Sequence, residues 1–468
     1  MPAVNVDQGK VRALYERETQ RFHLDRPESD RLLQKAKEHM PNGVPCAWMD
    51  GLYFHHPIFA RRGEGAYFWD VDNHKYLDMN QADLSMNCGY GPEPLVRAVQ
   101  QRVAEGSQFL LPVEDSIDVA AELSNRYRLK YWQFTLSASS ANTEAIRIAR
   151  AYTRKECVLV FNGKYHGHIS DTMGYEQSQD NSLGFTQAFS EKTINVEFND
   201  LDAVEKALKS YPVACVLTEP ALTNIGVIKP DDGYFDALRE LCDKYESLLI
   251  IDETHTQICA WGGLSRVWDI KYDMYTLGKA VAAGIPTGIY GMSEEIGEFV
   301  ASHLEADDKE DPRSQNGGIA IGGTLYGNAL CMAAIKVALE EILTPEAYKK
   351  CQALGEQLSS GLQRLFDQFG LPWLAQSLMS RSGYTFGPAH PRNAKEFDRY
   401  SDPVLHNAMR VYLANRGVWE AISSAGPAAS FVMKPEDIDF YLTRVEGFLE
   451  ELVSRGADSL SAGPGVIR

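Results

Sequence analysis

Lys279 is the residue best placed to do chemistry. It follows the apolar run Met274-Tyr-Thr-Leu277 and Gly278, and it opens the small-residue stretch Ala280-Val-Ala-Ala-Gly284. Burial disfavours the charged form of an amine and frees it to act as nucleophile and base. Schiff-base formation requires such an amine. Asp252 closes another apolar run, Ser247-Leu-Leu-Ile-Ile251, 27 residues upstream of the lysine. That spacing fits neighbouring crossover units of one sheet. A carboxylate there can keep a pyridine nitrogen protonated, so that bound pyridoxal 5'-phosphate (PLP) serves as an electron sink. Singly, each residue has a plain alternative: a snorkelling lysine, or an aspartate capping a strand. The pair points to PLP chemistry.

Other apolar runs end in polar groups as well. Val213-Ala-Cys-Val-Leu-Thr218 leads to Glu219, and Cys157-Val-Leu-Val-Phe161 leads to Asn162-Gly-Lys-Tyr165-His166-Gly167. Parallel sheets bind ligands beyond the carboxyl ends of their strands, so these ends share one crevice. A phosphate needs a helix N-terminus lined by small residues, which Ser137-Ala138-Ser139-Ser140 supplies ahead of TEAIRIARAYTR. Tyr165 offers an aromatic face for a ring, or else is an ordinary core tyrosine. A metal site on His166, His168 and His255 lacks ligands at recognisable spacing, so no metal is expected. Gly278-Lys279 is followed by Ala280, which breaks the GxxxxGK[ST] phosphate-loop pattern.

Elements that would position these groups can be read from periodicity. Helical patterns near 93–106, 115–126, 140–154, 201–209 and 232–245 alternate with short apolar runs. That alternation describes an α/β architecture with a mainly parallel sheet covered on both faces. Residues 1–40 read as polar helix, and Asp72-Asn73-His74 is a hairpin turn between β-rich runs. After about residue 328 the chain is mostly helical, near 328–344, 346–369, 403–415 and 435–454. The division expected is 1–94 as an N-terminal segment with part of a small domain, 95–328 as the large PLP-binding domain, and 329–468 as the C-terminal small domain.

Bulk properties exclude other classes. The 468 residues carry a net charge of −18, which disfavours nucleic acid and anionic membrane as partners. The eight cysteines form no CxxC pair and several lie in apolar runs, where a reduced thiol is the default. No apolar stretch has signal-peptide or membrane-spanning length, and a cytoplasmic enzyme is expected.

Together, FTLSASSANTEAIRIARAYT, GKYHGH, TEPALTNIG, IDETHT, TLGKAVAAGIPTGIYG and GGTLYGN resemble the class III PLP-dependent aminotransferases. Within that family the pattern is closest to the glutamate-1-semialdehyde aminomutase-like transaminases. The resemblance implies a fold type I PLP-dependent transferase with a large domain and a small α+β domain from both chain ends. It also implies a homodimer with shared active sites. Carried over, Ser137, Ala138 and Ser139 bind phosphate, Tyr165 stacks on the ring, and Asp252 pairs with its nitrogen. Asn224 lies near the ring hydroxyl, Lys279 forms the Schiff base, and Thr324 reaches the phosphate of the partner subunit. Glu219 belongs to the same motif, and Thr254 stands where a hydrophobic residue backs the ring. The implied reaction moves an amino group from a small amine donor to a keto acid or aldehyde through pyridoxamine phosphate. An aminomutase, racemase or lyase would use the same residues.

Three departures bear on substrate. The usual Ser-Gly-Thr-Glu phosphate turn is Ser137-Ala138-Ser139-Ser140, and His255 replaces Met or Gln. The arginine that follows Pro-Gly-Gly-Val and holds a substrate carboxylate is Met49, within Pro41-Asn-Gly-Val-Pro-Cys-Ala-Trp48-Met49. Trp48, Met49, His255 and Trp419, with Tyr53 and Phe54, are therefore expected to form an apolar, aromatic substrate pocket. Arg61, Arg62 and Arg416 remain as partners for a keto-acid carboxylate.

Overall fold

A computed structural model describes residues 6–52, 57–173, 184–185, 191–304, 318–420 and 426–454. The first strands are β1 (Ala60–Glu64), β2 (Tyr67–Asp70) and β3 (Lys75–Asp78). β2 and β3 form the expected hairpin. Its turn places Asn73 at φ 69°, a left-handed conformation that asparagine tolerates.

The large sheet contains β4 (Tyr131–Thr135), β5 (Cys157–Phe161), β6 (Thr193–Val196), β7 (Val213–Thr218), β8 (Leu248–Asp252), β9 (Met274–Leu277) and β10 (Gly288–Met292). Their spatial order is β4-β10-β9-β8-β7-β5-β6. Every residue of β5, β7, β8, β9 and β10 is buried, because helices cover both faces, and this is why the runs are continuously apolar. From β9 to β6 all pairs are parallel. β10 departs from the pattern and runs antiparallel to both β9 and β4. Residues 278–287 form its connection from β9, shorter than the roughly dozen residues a parallel crossover needs.

β11 (Leu374–Leu378) and β12 (Arg381–Thr385) make a separate hairpin, and β13 (Val418–Trp419) returns to pair in parallel with β3. Strands from both chain ends thus build the small α+β domain. The N-terminal helical region is two helices rather than one, Gln8–Leu24 and Pro27–Ala36. Proline has no amide to continue the first helix and suits the first turn of the second. Val11, Leu14, Glu18 and Phe22 form the buried stripe of the first helix. Glu18 is held there by the Asn415 amide at 2.9 Å and the Arg416 guanidinium at 3.0 Å, which ties the two chain ends together. The pattern near 328–344 is the helix Ala329–Val337 running into a wider π-turn at Ala338–Ile342. Among the described residues no helix is long and apolar enough to cross a membrane.

Candidate active site

β5, β7, β8 and β9 are consecutive neighbours, so their carboxyl ends deliver four loops to one edge. Those loops carry Tyr165-His166-Gly167, Glu219, Asp252 to His255, and Lys279. Facing them is the N-terminus of the helix Ala138–Thr153, where Ser137 caps by accepting from the Ser140 amide at 3.1 Å. Ala138 is the first residue of that helix, so its amide is one of the free donors at the helix start. Gly167 permits a close approach: a Cβ there would lie 2.2 Å from Ser139 Oγ, and its φ is 92°. Ser139 Oγ accepts from the neighbouring His168 amide at 3.0 Å.

These groups surround a cavity of about 290 Å³. Of the expected residues, Trp48, Ser137, Ala138, Ser139, Tyr165, Glu219, Asp252, Thr254, His255 and Lys279 line it. Leu136, Ile285 and Pro286 add apolar wall.

Asp252 is the best-supported charge. Its Oδ2 accepts from Asn142 Nδ2 at 2.8 Å and from His166 Nδ1 at 2.9 Å, and its Oδ1 accepts from the Thr254 amide at 3.0 Å. Asn142 is oriented by Thr276 Oγ1, which donates to its Oδ1 at 2.7 Å. Burial works against ionisation, but His166 and the Thr254 amide outweigh it and hold the carboxyl at about 2. Glu219 has weaker support: burial pushes it up to about 7, although Thr223 Oγ1 donates to Oε2 at 2.6 Å. His255 is pushed down to about 3, first by burial and then by the charge of Lys279, so it is neutral. Its Nδ1 and Thr223 Oγ1 share a hydrogen bond of 3.0 Å.

Lys279 follows β9 in a left-handed conformation, φ 52°. Its Nζ donates to the Asp83 backbone carbonyl at 2.9 Å and forms an ion pair with Asp83 Oδ2. Asp83 sits in four successive left-handed residues, Gln81, Ala82, Asp83 and Leu84, with φ from 49° to 65°. Each such residue costs about 1–2 kcal/mol, so the turn needs outside support. Buried Asp78 provides it. Its Oδ1 accepts from the amides of Asn80 and Gln81 at 3.0 and 2.7 Å, and its Oδ2 from that of Ala82 at 3.1 Å.

Several expected residues do not reach the cavity. Trp419 is buried in a core cluster, with ring centroids 5.5 Å from Phe68 and 5.3 Å from Tyr76, because β13 turns it into the small sheet. Met49 is exposed and, like Asn224, lies off the cavity wall. Thr324, expected at the phosphate of a partner subunit rather than in this cavity, is exposed, and its carbonyl accepts from Gln108 at 2.6 Å. The spare arginines are engaged elsewhere. Arg61 bonds Asn73 at 3.0 Å, Arg62 covers Trp69 at 3.6 Å, and Arg416 serves Glu18. Tyr53 and Phe54 lie outside the described residues. Sequence reasoning missed Asn142 and Asp83 as site residues, and it placed His166 at the crevice without giving it a role other than a rejected metal site. A histidine beside Tyr165 at a strand end was a readable signal; Asp83, on a loop with no strand-end signature, had none.

Among the described residues, four buried atoms of the cavity lining have no hydrogen-bond partner: His166 Nε2, Glu219 Oε1, Thr254 Oγ1 and His255 Nε2. Buried polar atoms are rarely left unpaired, so these mark space for a polar ligand. PLP fits that space in its chemistry. An amine, a supported carboxylate and a helix N-terminus are the partners that its aldehyde, pyridine nitrogen and phosphate require.

Fold and site together define a PLP-dependent enzyme. The chain belongs to the class III aminotransferase family, whose profile matches residues 52–370. It is 30% identical over 411 residues to a glutamate-1-semialdehyde 2,1-aminomutase of Francisella philomiragia, covering 82% of this chain and 91% of that one. A solved glutamate-1-semialdehyde aminomutase from Pseudomonas aeruginosa, in complex with PMP, superposes with a TM-score of 0.90 at 31% identity over 96% of this chain and 100% of that chain. A β-phenylalanine aminotransferase from Variovorax paradoxus shares the fold, with a TM-score of 0.83 at 24% identity over 94% of this chain and 97% of that chain.

Proposed function

We propose that this enzyme is an aminotransferase that moves an amino group from an amine or amino acid to a keto acid or aldehyde. The observation that carries the reading is the cavity wall. It presents Lys279, Asp252 and apolar groups, and no arginine among its described residues. In this reading Asp252 holds a proton on the cofactor's ring nitrogen, and His166 and Asn142 keep that carboxylate ionised. Bound PLP supplies the electron sink that makes the donor's C–H acidic. Lys279 Nζ would anchor the cofactor and, as a free amine, would carry the proton between the reacting carbons. Ser137, Ala138 and Ser139 take the phosphate, Tyr165 faces the ring, and Thr254 backs it. Glu219 and His255 border the donor, and Asn224 keeps the role near the ring hydroxyl that the family pattern gives it. Thr324 serves the phosphate of a second copy, so the active unit is a two-fold homodimer. The exposed Phe109, Leu110, Leu111 and Leu325 support that reading.

Without an arginine on the wall, a donor carboxylate next to the reacting carbon has no bidentate partner, and burying it unpaired is costly. The preferred donor therefore has an apolar or aromatic body, or a carboxylate displaced from the α position. Similarity to the aminomutases favours a second reading, isomerisation of glutamate semialdehyde itself. A donor panel of arylalkyl amines, β-amino acids, α-amino acids and glutamate semialdehyde, with pyruvate and 2-oxoglutarate as acceptors, separates the two. Net amino transfer from the apolar donors is the expected result. Isomerisation of glutamate semialdehyde far faster than any transfer would replace this reading with the second.

A further inference from the structure

Asp83 stands out because nothing in its own loop needs its carboxylate. Asp78 holds the left-handed turn through three backbone amides, and Asn80 Oδ1 accepts from the Asp83 amide at 2.9 Å. The Asp83 side chain is left to face the cavity, where its partner is Lys279 Nζ. That nitrogen also takes the Asp83 backbone carbonyl at 2.9 Å, so one residue offers it two acceptors. A turn built from four non-glycine residues in the left-handed region persists only where its surroundings enforce it, and such turns gather at functional sites.

We infer that Asp83 is a positioning residue for Lys279: its carboxylate is the fixed counter-ion that holds the lysine nitrogen at the cavity and keeps that nitrogen protonated when it is bonded to the cofactor. The inference rests on Lys279 being the cofactor-bonding residue. Other groups face the pair. His255 approaches from the loop after β8, Tyr165 from the loop after β5, and Arg381 from β12, with Asp252 acting on His255. Burial opposes the ionisation of Asp83, but the charge of Lys279 leads the groups that hold its carboxyl at about 2. His255 is neutral at ordinary pH, so it neither competes for the Asp83 carboxylate nor repels the lysine.

The test is a pH titration of the visible absorbance of the PLP-loaded enzyme, native and with Asp83→Asn, Asp83→Glu and Asp83→Ser. Removing the charge should lower the pH midpoint of the visible band by about one unit or more, a tenfold loss in proton affinity. Asp83→Glu should recover most of that shift. Asp83→Ser, which keeps a polar side chain without the charge, should behave like Asp83→Asn and gives the reading if the asparagine variant does not fold. An unchanged midpoint in either neutral variant overturns the inference. A native enzyme with no visible band, or none that borohydride fixes to Lys279, overturns the Lys279 assignment instead.

Discussion

Two buried polar clusters, at opposite ends of the chain's logic, share their chemistry and differ in how they are completed. In the small domain Glu420 accepts from Tyr384 and Tyr441, each at 2.9 Å, and Tyr384 also meets His406 at 3.1 Å. Among the described residues, no buried side-chain atom of these four lacks a partner. At the edge of the large sheet His166, Glu219, Thr254 and His255 each retain one that does. A closed network secures packing and specifies one arrangement of the core. An open one stores unmet hydrogen bonds that a ligand can complete. Both clusters contain carboxylates and histidines with displaced pKa values; what differs is that one is completed within the chain and the other borders a cavity with partners left for a ligand.

Breaking the open cluster should abolish chemistry and leave the fold in place. Lys279→Ala should lower turnover on the order of 10⁴-fold, because both the covalent anchor and the proton carrier are lost. Steady-state kinetics beside a urea unfolding curve checks this, and full activity in the variant would refute the role. Asp252→Asn should cost on the order of 10²- to 10³-fold in turnover, as the pyridine nitrogen loses its charged partner. Stopped-flow absorbance with excess donor measures it.

Breaking the closed cluster should do the reverse. Glu420→Ala removes the carboxylate that two buried hydroxyls share, leaving Tyr441 without its acceptor, and should destabilise the protein by about 2–4 kcal/mol. The folded fraction should keep native turnover. A large loss of kcat with unchanged unfolding would show that this cluster also takes part in function.

The smallest effect concerns pH and compares one histidine from each cluster. Burial holds both His255 and His406 at about 3, well below their ordinary value. A histidine whose folded pKa is depressed contributes stability that is complete above about 6.5 and is lost as pH falls towards about 3. Each should therefore cost on the order of 2 kcal/mol by about pH 4.5. His406→Phe and His255→Gln should each flatten the acid limb of unfolding free energy against pH by that share. Saturating PLP should deepen the contribution of His255 alone. Equal sensitivity of His406 to the cofactor would erase the distinction between the clusters.

The sequence by itself determined the alternation of helices with the buried strands β5, β7, β8 and β9, the strand-end placement of Glu219, Asp252 and Lys279, and the class of cofactor; it missed β4, β6 and the small-domain strands β11 to β13. Strands buried on both faces must be continuously apolar, and the polar residue that ends each one must emerge at the same edge, so periodicity and spacing suffice. Only the tertiary structure decided which aromatic residues face the cavity. Trp48 lines it while Trp419 is core, and a tryptophan's type is the same in both settings. The pairing of β10 with β4, about 150 residues earlier in the chain, likewise emerges only in the folded sheet, although the short 278–287 connection already argued against a parallel crossover. Asp83 was out of reach for the same reason. Its partner lies 196 residues away, and the two meet only because Asp78 holds a strained turn against the end of β9.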